Sequence, residues 1–372
     1  MTTAAIPFMD LRPAEDATAV AGAIRRVIDR GWFILGPEVE AFEHEFAAAC
    51  GGAFAVGVAT GTDAIALILR ALGIGPGDEV VTTPLSAAYS ALAIMMAGAK
   101  PVFADIDEER LTIAPSAVEG AITPRTRAIL PVHLYGQAAD MDAISDIAQR
   151  HGLAVVEDCA QAHLTTCRTR PVGTLGVAGA FSFYPTKNLG ALGDGGAIVT
   201  SDAALADRLR RLRNGGQRTR YHHDEFGVNS RLDEIQAAVL RERLVFLPAW
   251  TGARRRLARV YREALVGAPV RVPPEFDPGH VYHLFPVRSP ERDALQAHLR
   301  TLGIETLIHY PVPIPRQPAL ASESPRECPA ATRACAELLS LPLHPGLSPD
   351  AARTVADAIQ RFAPAPGTTA RG

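Results

Sequence analysis

Between residues 53 and 159 the chain alternates short β-rich runs with helical patterns, and this alternation restricts the fold more than any other feature of the sequence. The runs are AFAVGVA (53–59), DEVVTT (78–83), KPVFADI (100–106), RAILPVH (127–133) and LAVVEDC (153–159). Strands joined through helices return to one sheet by right-handed crossovers, which predicts an α/β fold with a mainly parallel sheet covered on both faces. GAFSFYP (179–185) and GGAIVT (195–200) add further strands. In such a sheet, ligands bind beyond the carboxyl ends of the strands, so residues emerging there are the first candidates for function.

Pro13 and Pro37 sit where a first helical turn tolerates proline, and Gly31 and Gly51 follow where a helix can stop, so two helices precede the first strand. The nearly apolar run from Ser86 to Ala99 is shorter than the roughly 18 residues a membrane span requires, and is expected as a buried helix. NGGQRTRYHHDEFGVNS (214–230), polar and rich in Gly and His, interrupts the pattern as a candidate functional loop. An amphipathic helix from Leu232 to about Phe246 should break at Pro248. That break divides the 372 residues into a large domain, 1–247, and a smaller C-terminal α/β domain, 248–372, with a strand at 281–287, a proline-rich connection at 311–318 and a loose tail, PAPGTTARG.

Several functions are disfavoured by composition. A net charge of -3 with 21% charged residues leaves no basic excess for nucleic acid. Five cysteines without a CxxC pair suit free thiols better than a disulfide framework or a metal site. The start, MTTAAIPFMDLRP, has no secretory pattern, so a cytoplasmic location without membrane attachment is expected. VATGTDA, after the first strand, lacks the G-x-G-x-x-G of a dinucleotide-binding oxidoreductase.

A cofactor that stores electrons on a pyridine ring needs an amine to condense with its aldehyde, an acid to keep its ring nitrogen protonated, and donors for its phosphate. Asp158 follows the apolar run LAVVE at an expected strand end, and beside a protonated ring nitrogen the two charges would support each other. Lys187 stands in FSFYPTKNLGALGDGG (181–196), between an aromatic-rich strand and a glycine-dense loop. Partial desolvation there favours the free amine that imine formation and proton transfer need. In ATGTDAIALILRAL (59–72), Gly61 and Thr62 open a helix directly after a strand, where outward N–H groups, a close backbone approach and a hydroxyl can hold a phosphate. Ser182 is a second phosphate donor, Gln161 a contact for the ring hydroxyl oxygen, and Tyr89 a candidate to stack on the ring. Singly, each reads more simply as a turn cap, a surface lysine or core; their coincidence carries the inference.

Six ordered segments, GTDA (61–64), HLYGQAADM (133–141), VEDCAQAH (156–163), SFYPTKNLGALGDGGA (182–197), GVNSRLDEIQAAVL (227–240) and GIETLIHYPVP (303–313), resemble the DegT/DnrJ/EryC1/StrS family of nucleotide-sugar aminotransferases. The resemblance implies a fold-type I transferase that uses pyridoxal 5′-phosphate. In it Lys187 forms the imine, Asp158 meets the ring nitrogen, Gln161 meets the ring oxygen, and Gly61, Thr62 and Ser182 hold the phosphate. Asn229 is implied to reach the phosphate in a neighbouring subunit, hence a homodimer with shared sites. Tyr184, His309 and Tyr310 are implied near the sugar, with the partner chain's Arg220 near the nucleotide diphosphate. GALGDGG is more similar to enzymes that aminate C3 of thymidine diphosphate 3-keto-6-deoxyhexoses than to those that aminate C4. Two departures stand out: Leu164 occupies a position where the family commonly has glycine, and TPLSAAYSALAI lacks the usual stacking aromatic.

The implied reaction moves an amine from an amino acid, L-glutamate, to a nucleotide-linked keto sugar. A 4-aminotransferase and an amino-cyclitol- or aminobenzoate-forming relative remain open. A dehydratase of this fold would replace the lysine with histidine, and a non-catalytic regulatory protein would bind no cofactor.

Overall fold

The computed structural model describes residues 5–12, 14–323 and 327–363; Pro13 and the PAPGTTARG tail lie outside them. Helices α1 (Ala17–Arg30) and α2 (Pro37–Ala49) precede β1 (Phe54–Val58), as the proline and glycine signals predict. Gly31 ends α1 in the left-handed region, with φ 67°, and Pro37 occupies the first turn of α2. The start of α2 is capped from a distance. The carboxylate of Glu234 accepts hydrogen bonds from the backbone N–H groups of Gly36, Glu38 and Val39 at 2.9, 2.9 and 2.8 Å, which ties the N-terminal helices to the RLDE segment.

After β1 come α3 (Gly61–Ala71), β2 (Glu79–Thr82), α4 (Tyr89–Met96), β3 (Lys100–Phe103), α5 (Pro115–Glu119), β4 (Thr126–Leu130), α6 (Met141–His151) and β5 (Ala154–Asp158). Then β6 (Ala178–Ser182), β7 (Gly196–Thr200) and α7 (Ala203–Leu212) complete the large unit. The seven strands lie in the order β1-β7-β6-β5-β4-β2-β3. Only β7 runs against its neighbours, pairing antiparallel with β1 and with β6. Consequently β1, β5 and β6 point the same way, and their carboxyl ends share one edge. Two apolar cores cover the sheet: one contains Phe42, Phe46, Phe181 and Phe183, the other Ile65, Leu67, Ile68 and Leu69 of α3.

Three sequence expectations need correction. The run 86–99 forms a helix only over Tyr89–Met96, and that helix is not fully buried, because Tyr89, Met95 and Met96 are exposed. Pro248 does not break the helix begun near Leu232: α8 runs from Glu234 to Ala264 through it. A proline removes the N–H that would bond one turn back and crowds the carbonyl there, yet α8 continues with packing on both sides of the gap. Leu240 and Leu247 face the large core, whereas Leu257, Ala258 and Tyr261 enter a separate core shared with β8 (Phe285–Arg288), α9 (Arg292–Thr301), β9 (Leu338–Leu341) and α11 (Pro349–Gln360). The chain's start joins that second unit, since Ile6 bridges Ile304 and Phe8 packs with Leu338 of β9. Between β8 and β9 the proline-rich connection adopts short 3-10 turns, and α10 (Pro329–Glu337) follows it.

Candidate active site

The common edge of β1, β5 and β6 opens into a cavity of about 590 Å³. Asp158 closes β5 there, and Gly61, Thr62, Tyr89, Gln161, Ser182, Tyr184, Lys187, His309 and Tyr310 line the same space. Ten of the twelve residues singled out from the sequence therefore converge. The other two, Arg220 and Asn229, are exposed on the 214–230 segment and do not line it.

Asp158 is fixed by its neighbour as much as by its own contacts. Glu157 is fully buried and accepts four hydrogen bonds: from Gly173 N–H at 2.8 Å, Leu175 N–H at 2.7 Å, Gly176 N–H at 2.8 Å and the His133 ring at 3.0 Å. His133 Nδ1 accepts from Ala139 N–H, so its proton sits on Nε2, facing Glu157. His133, Glu157 and Cys159 lie close enough to suggest a metal site, yet this carboxylate already has its hydrogen bonds within the fold. Asp158 differs. Its carboxylate takes Ser90 Oγ–H at 2.7 Å and Ala160 N–H at 3.0 Å, and its remaining capacity faces the cavity.

Lys187 lies in the loop after β6, anchored by its N–H to the Tyr184 carbonyl at 2.8 Å. Its side chain is partly buried, and burial lowers the amine to about 8, with the Asp158 charge pulling weakly the other way. The amine has no hydrogen-bond or ion-pair partner among the described residues. It is one of only two lysines in the chain, the other being Lys100, against a background of arginine. Arginine holds its proton and cannot serve as an amine nucleophile, so a lysine kept at 187 marks a place where deprotonation matters.

The phosphate candidates sit where α3 begins. Thr60, not Thr62, caps the helix, its hydroxyl accepting from Asp63 N–H at 3.0 Å, which leaves the Thr62 hydroxyl for a ligand. A Cβ at Gly61 would approach the Ser182 Cβ to 2.8 Å, so only glycine lets the two segments close on one another. Gln161 joins two walls of the cavity: its carbonyl accepts from Tyr135 N–H at 2.7 Å and its amide donates to Tyr310 Oη at 3.1 Å. His309 stacks on Phe8 with ring centroids 5.7 Å apart, and burial followed by the Lys187 charge lowers it to about 4, keeping it neutral.

Sequence reasoning missed Ser90 and His283, which both line the cavity. Ser90 was hidden in an apolar run, and His283 in a distant strand-like run, with no local motif. The Leu164 departure has a structural meaning: its φ is 60°, in the region where glycine is unstrained and a branched side chain is not. Tyr89 lines the cavity at the start of α4 but is 64% exposed, and Ala87 lies beside it, so the described residues do not enclose a ring between aromatics here.

A phosphate, an aldehyde and a protonatable ring nitrogen thus each find a matching group: the α3 start with Ser182, an unpartnered amine, and a partly satisfied carboxylate. The comparisons agree. Residues 15–360 match the model of the DegT/DnrJ/EryC1/StrS aminotransferase family. The chain is 51% identical over 369 residues to a dTDP-3-amino-3,4,6-trideoxy-alpha-D-glucose transaminase of Streptomyces venezuelae, covering 97% of each. It is 45% identical to a dTDP-3-amino-3,6-dideoxy-alpha-D-galactopyranose transaminase of Aneurinibacillus thermoaerophilus, covering 96% of this chain and 99% of that one. The crystal structure of S. venezuelae DesV in complex with a ketimine intermediate superposes with a TM-score of 0.93 at 51% identity, over 96% of this chain and 98% of that one. The chain belongs to the DegT/DnrJ/EryC1/StrS aminotransferase family and is a pyridoxal 5′-phosphate-dependent sugar aminotransferase.

Proposed function

We propose that this enzyme transfers the amine of L-glutamate to C3 of a dTDP-linked 3-keto-6-deoxyhexose, working as a homodimer with shared sites. The observation that carries the reaction type is the pairing, in one cavity, of an unpartnered amine at 187 with a carboxylate at 158. The choice of C3 and of dTDP rests on the names of the two sugar transaminases above, together with GALGDGG. Amine and keto oxygen change places, so the products are a 2-oxo acid and the aminated sugar.

Pyridoxal 5′-phosphate, when bound, supplies an aldehyde that takes up an amine and a pyridine ring that accepts the electrons released when Cα loses its proton. The protein does the rest. Asp158 would face the ring nitrogen, Ser182 and the α3 start would hold the phosphate, and Lys187 carries a proton from one carbon to another. Lys187, lowered to about 8, has an appreciable neutral fraction near neutral pH and so can act as base. Tyr184, His309 and Tyr310 face the sugar, and the neutral His309 can accept from or donate to hydroxyls without repelling a cation.

The dimer is supported by exposed apolar residues that one chain leaves uncovered: Ile28, Trp32, Phe33, Phe226 and Val245. It would carry Asn229 and Arg220 to the partner's cavity, where Arg220 suits a diphosphate. Among the described residues no helix is long and apolar enough to cross a membrane, and a cytoplasmic location fits the reading. The division into domains at 1–247 and 248–372 is kept as part of this proposal, with α8 spanning both. Incubation with glutamate and a panel of dTDP- and UDP-linked 3-keto and 4-keto sugars tests it. The expected product is a dTDP-3-amino sugar; amination only at C4, or only of UDP sugars or cyclitols, would overturn the substrate assignment.

A further inference from the structure

Lys187 is not the only unpartnered polar group in the cavity. His283 is 4% exposed, lines the same space, and its ring can be assigned a single tautomer. Asn188 Nδ2 donates to the Val281 carbonyl at 3.1 Å, which turns its Oδ1 toward His283 Nδ1 at 3.2 Å. An amide oxygen only accepts, so Nδ1 carries the proton and Nε2 is left with a lone pair. No described residue hydrogen-bonds that nitrogen.

The residue is held in place from three directions. His283 N–H donates to the Tyr135 carbonyl at 2.8 Å, and its own carbonyl accepts from Arg254 Nη1 at 3.2 Å, while Asn188, the residue after Lys187, grips the side chain. The charged and titratable groups around it are Lys187, Arg254, His309 and His163, none of them a carboxylate. Burial first, then those charges, hold the imidazole neutral, well below the usual histidine range. The cavity thus contains a nitrogen that can only accept and, lining the same space, an amine that can donate and has no partner among the described residues.

We propose that His283 is a positioning residue for Lys187, its Nε2 accepting a hydrogen bond from the lysine ammonium whenever that amine is not bonded to the cofactor. Taking the Cα proton converts the amine to an ammonium with three N–H bonds; Nε2 accepts one of them, and no proton is lost from the nitrogen. The remaining N–H bonds are thereby fixed in direction, ready to return a proton. This inference rests on Lys187 being the reacting amine.

The test uses holoenzyme treated with the amino donor, in which the lysine amine is free. With ¹⁵Nζ-lysine labelling only two side-chain nitrogens are visible, those of Lys100 and Lys187. His283→Asn keeps a donor toward Asn188 but is too short to place an acceptor where Nε2 was, and His283→Phe fills the space with no acceptor, so each repeats the test independently. In both, Lys187 should titrate at lower pH than in the parent, because an acceptor that favoured the ammonium has gone. Loss of the donor's Cα proton should slow on the order of tenfold, with cofactor affinity within roughly twofold of the parent. His283→Gln, which restores an acceptor oxygen, should recover part of both effects. An unchanged Lys187 titration in the Asn and Phe variants overturns the proposal, whether or not the rate falls. Absence of any lysine–cofactor linkage in the parent enzyme would instead overturn the reading beneath it.

Discussion

The cavity and the segment at 214–230 are built on opposite principles. The cavity wall is held from within the same chain: Asp158 takes two donors, Gln161 lies between Tyr135 and Tyr310, and on the other face of the strand Glu157 takes four donors. The segment is equally firm at its base, where Gly215 N–H meets the Val228 carbonyl at 2.8 Å and Arg208 and Arg211 pair with Glu225. Its tip, however, stays open to solvent: Tyr221 and Phe226 are 78% and 85% exposed, with Arg70 lying over the Phe226 ring at 5.2 Å and Arg220 against the Tyr221 ring. Two aromatic rings and an arginine presented to solvent suit a contact outside their own chain. Under the proposed dimer, the cavity holds the groups for the proton chemistry and the segment contributes to a neighbour's site.

Removing the amine breaks the first half of that comparison outright. Lys187→Ala should retain its fold, since the side chain has no partner to lose, and turnover should fall by about a thousandfold or more, the scale of a lost general acid–base group. Steady-state amination measures it, and borohydride reduction should leave no pyridoxyl adduct on the variant. An active variant would sink the assignment of 187.

The relation between the two regions is tested by combining damage to each. With Asn229 reaching a phosphate as proposed, Asn229→Ala removes a hydrogen bond to a charged group and should cost between tenfold and about a hundredfold in activity. Co-expressed with Lys187→Ala, the two chains can form mixed dimers. If the arm serves the partner's cavity, each mixed dimer holds one intact site, and random pairing leaves about a quarter of all sites intact. If the arm served its own chain, every site would lack one residue or the other. Activity in the mixture above that of either variant alone, against activity no higher than that of Asn229→Ala alone, separates the two arrangements.

The same contrast explains what could be read from the sequence. The sheet was legible because buried parallel strands are written as continuous apolar runs, and the edge residues because strand ends such as Asp158 and the loop at Lys187 are local features. Glu157 and Asp158, adjacent in sequence, show where legibility stops. Alternation sends their side chains to opposite faces of β5, one into a shell of backbone donors and one into the cavity, and only three-dimensional neighbours decide which is which. Pro248 misled because a missing N–H is a local loss, whereas the packing that carries α8 past it comes from two distant cores. Ser90 and His283 were invisible for a similar reason: their importance lies in whom they face.

Ser90 offers the finest test of the cavity's self-sufficiency. Its hydroxyl donates to Asp158 at 2.7 Å inside a buried environment and so fixes the direction in which the carboxylate faces. A carboxylate turned that way presents its remaining acceptor capacity to the cavity, where a ring nitrogen would meet it. Ser90→Ala leaves Ala160 N–H as the sole described donor to Asp158, so the carboxylate is held less firmly without being released. The expected result is a several-fold slowing of donor Cα proton exchange, smaller than any effect of changing Asp158 itself, with Ser90→Thr close to the parent because the hydroxyl is retained. Solvent isotope exchange into the donor measures the step directly. If the alanine variant exchanged at the parent rate, the hydroxyl would only be satisfying a buried oxygen, and the direction of Asp158 would be set by its strand and a single backbone donor.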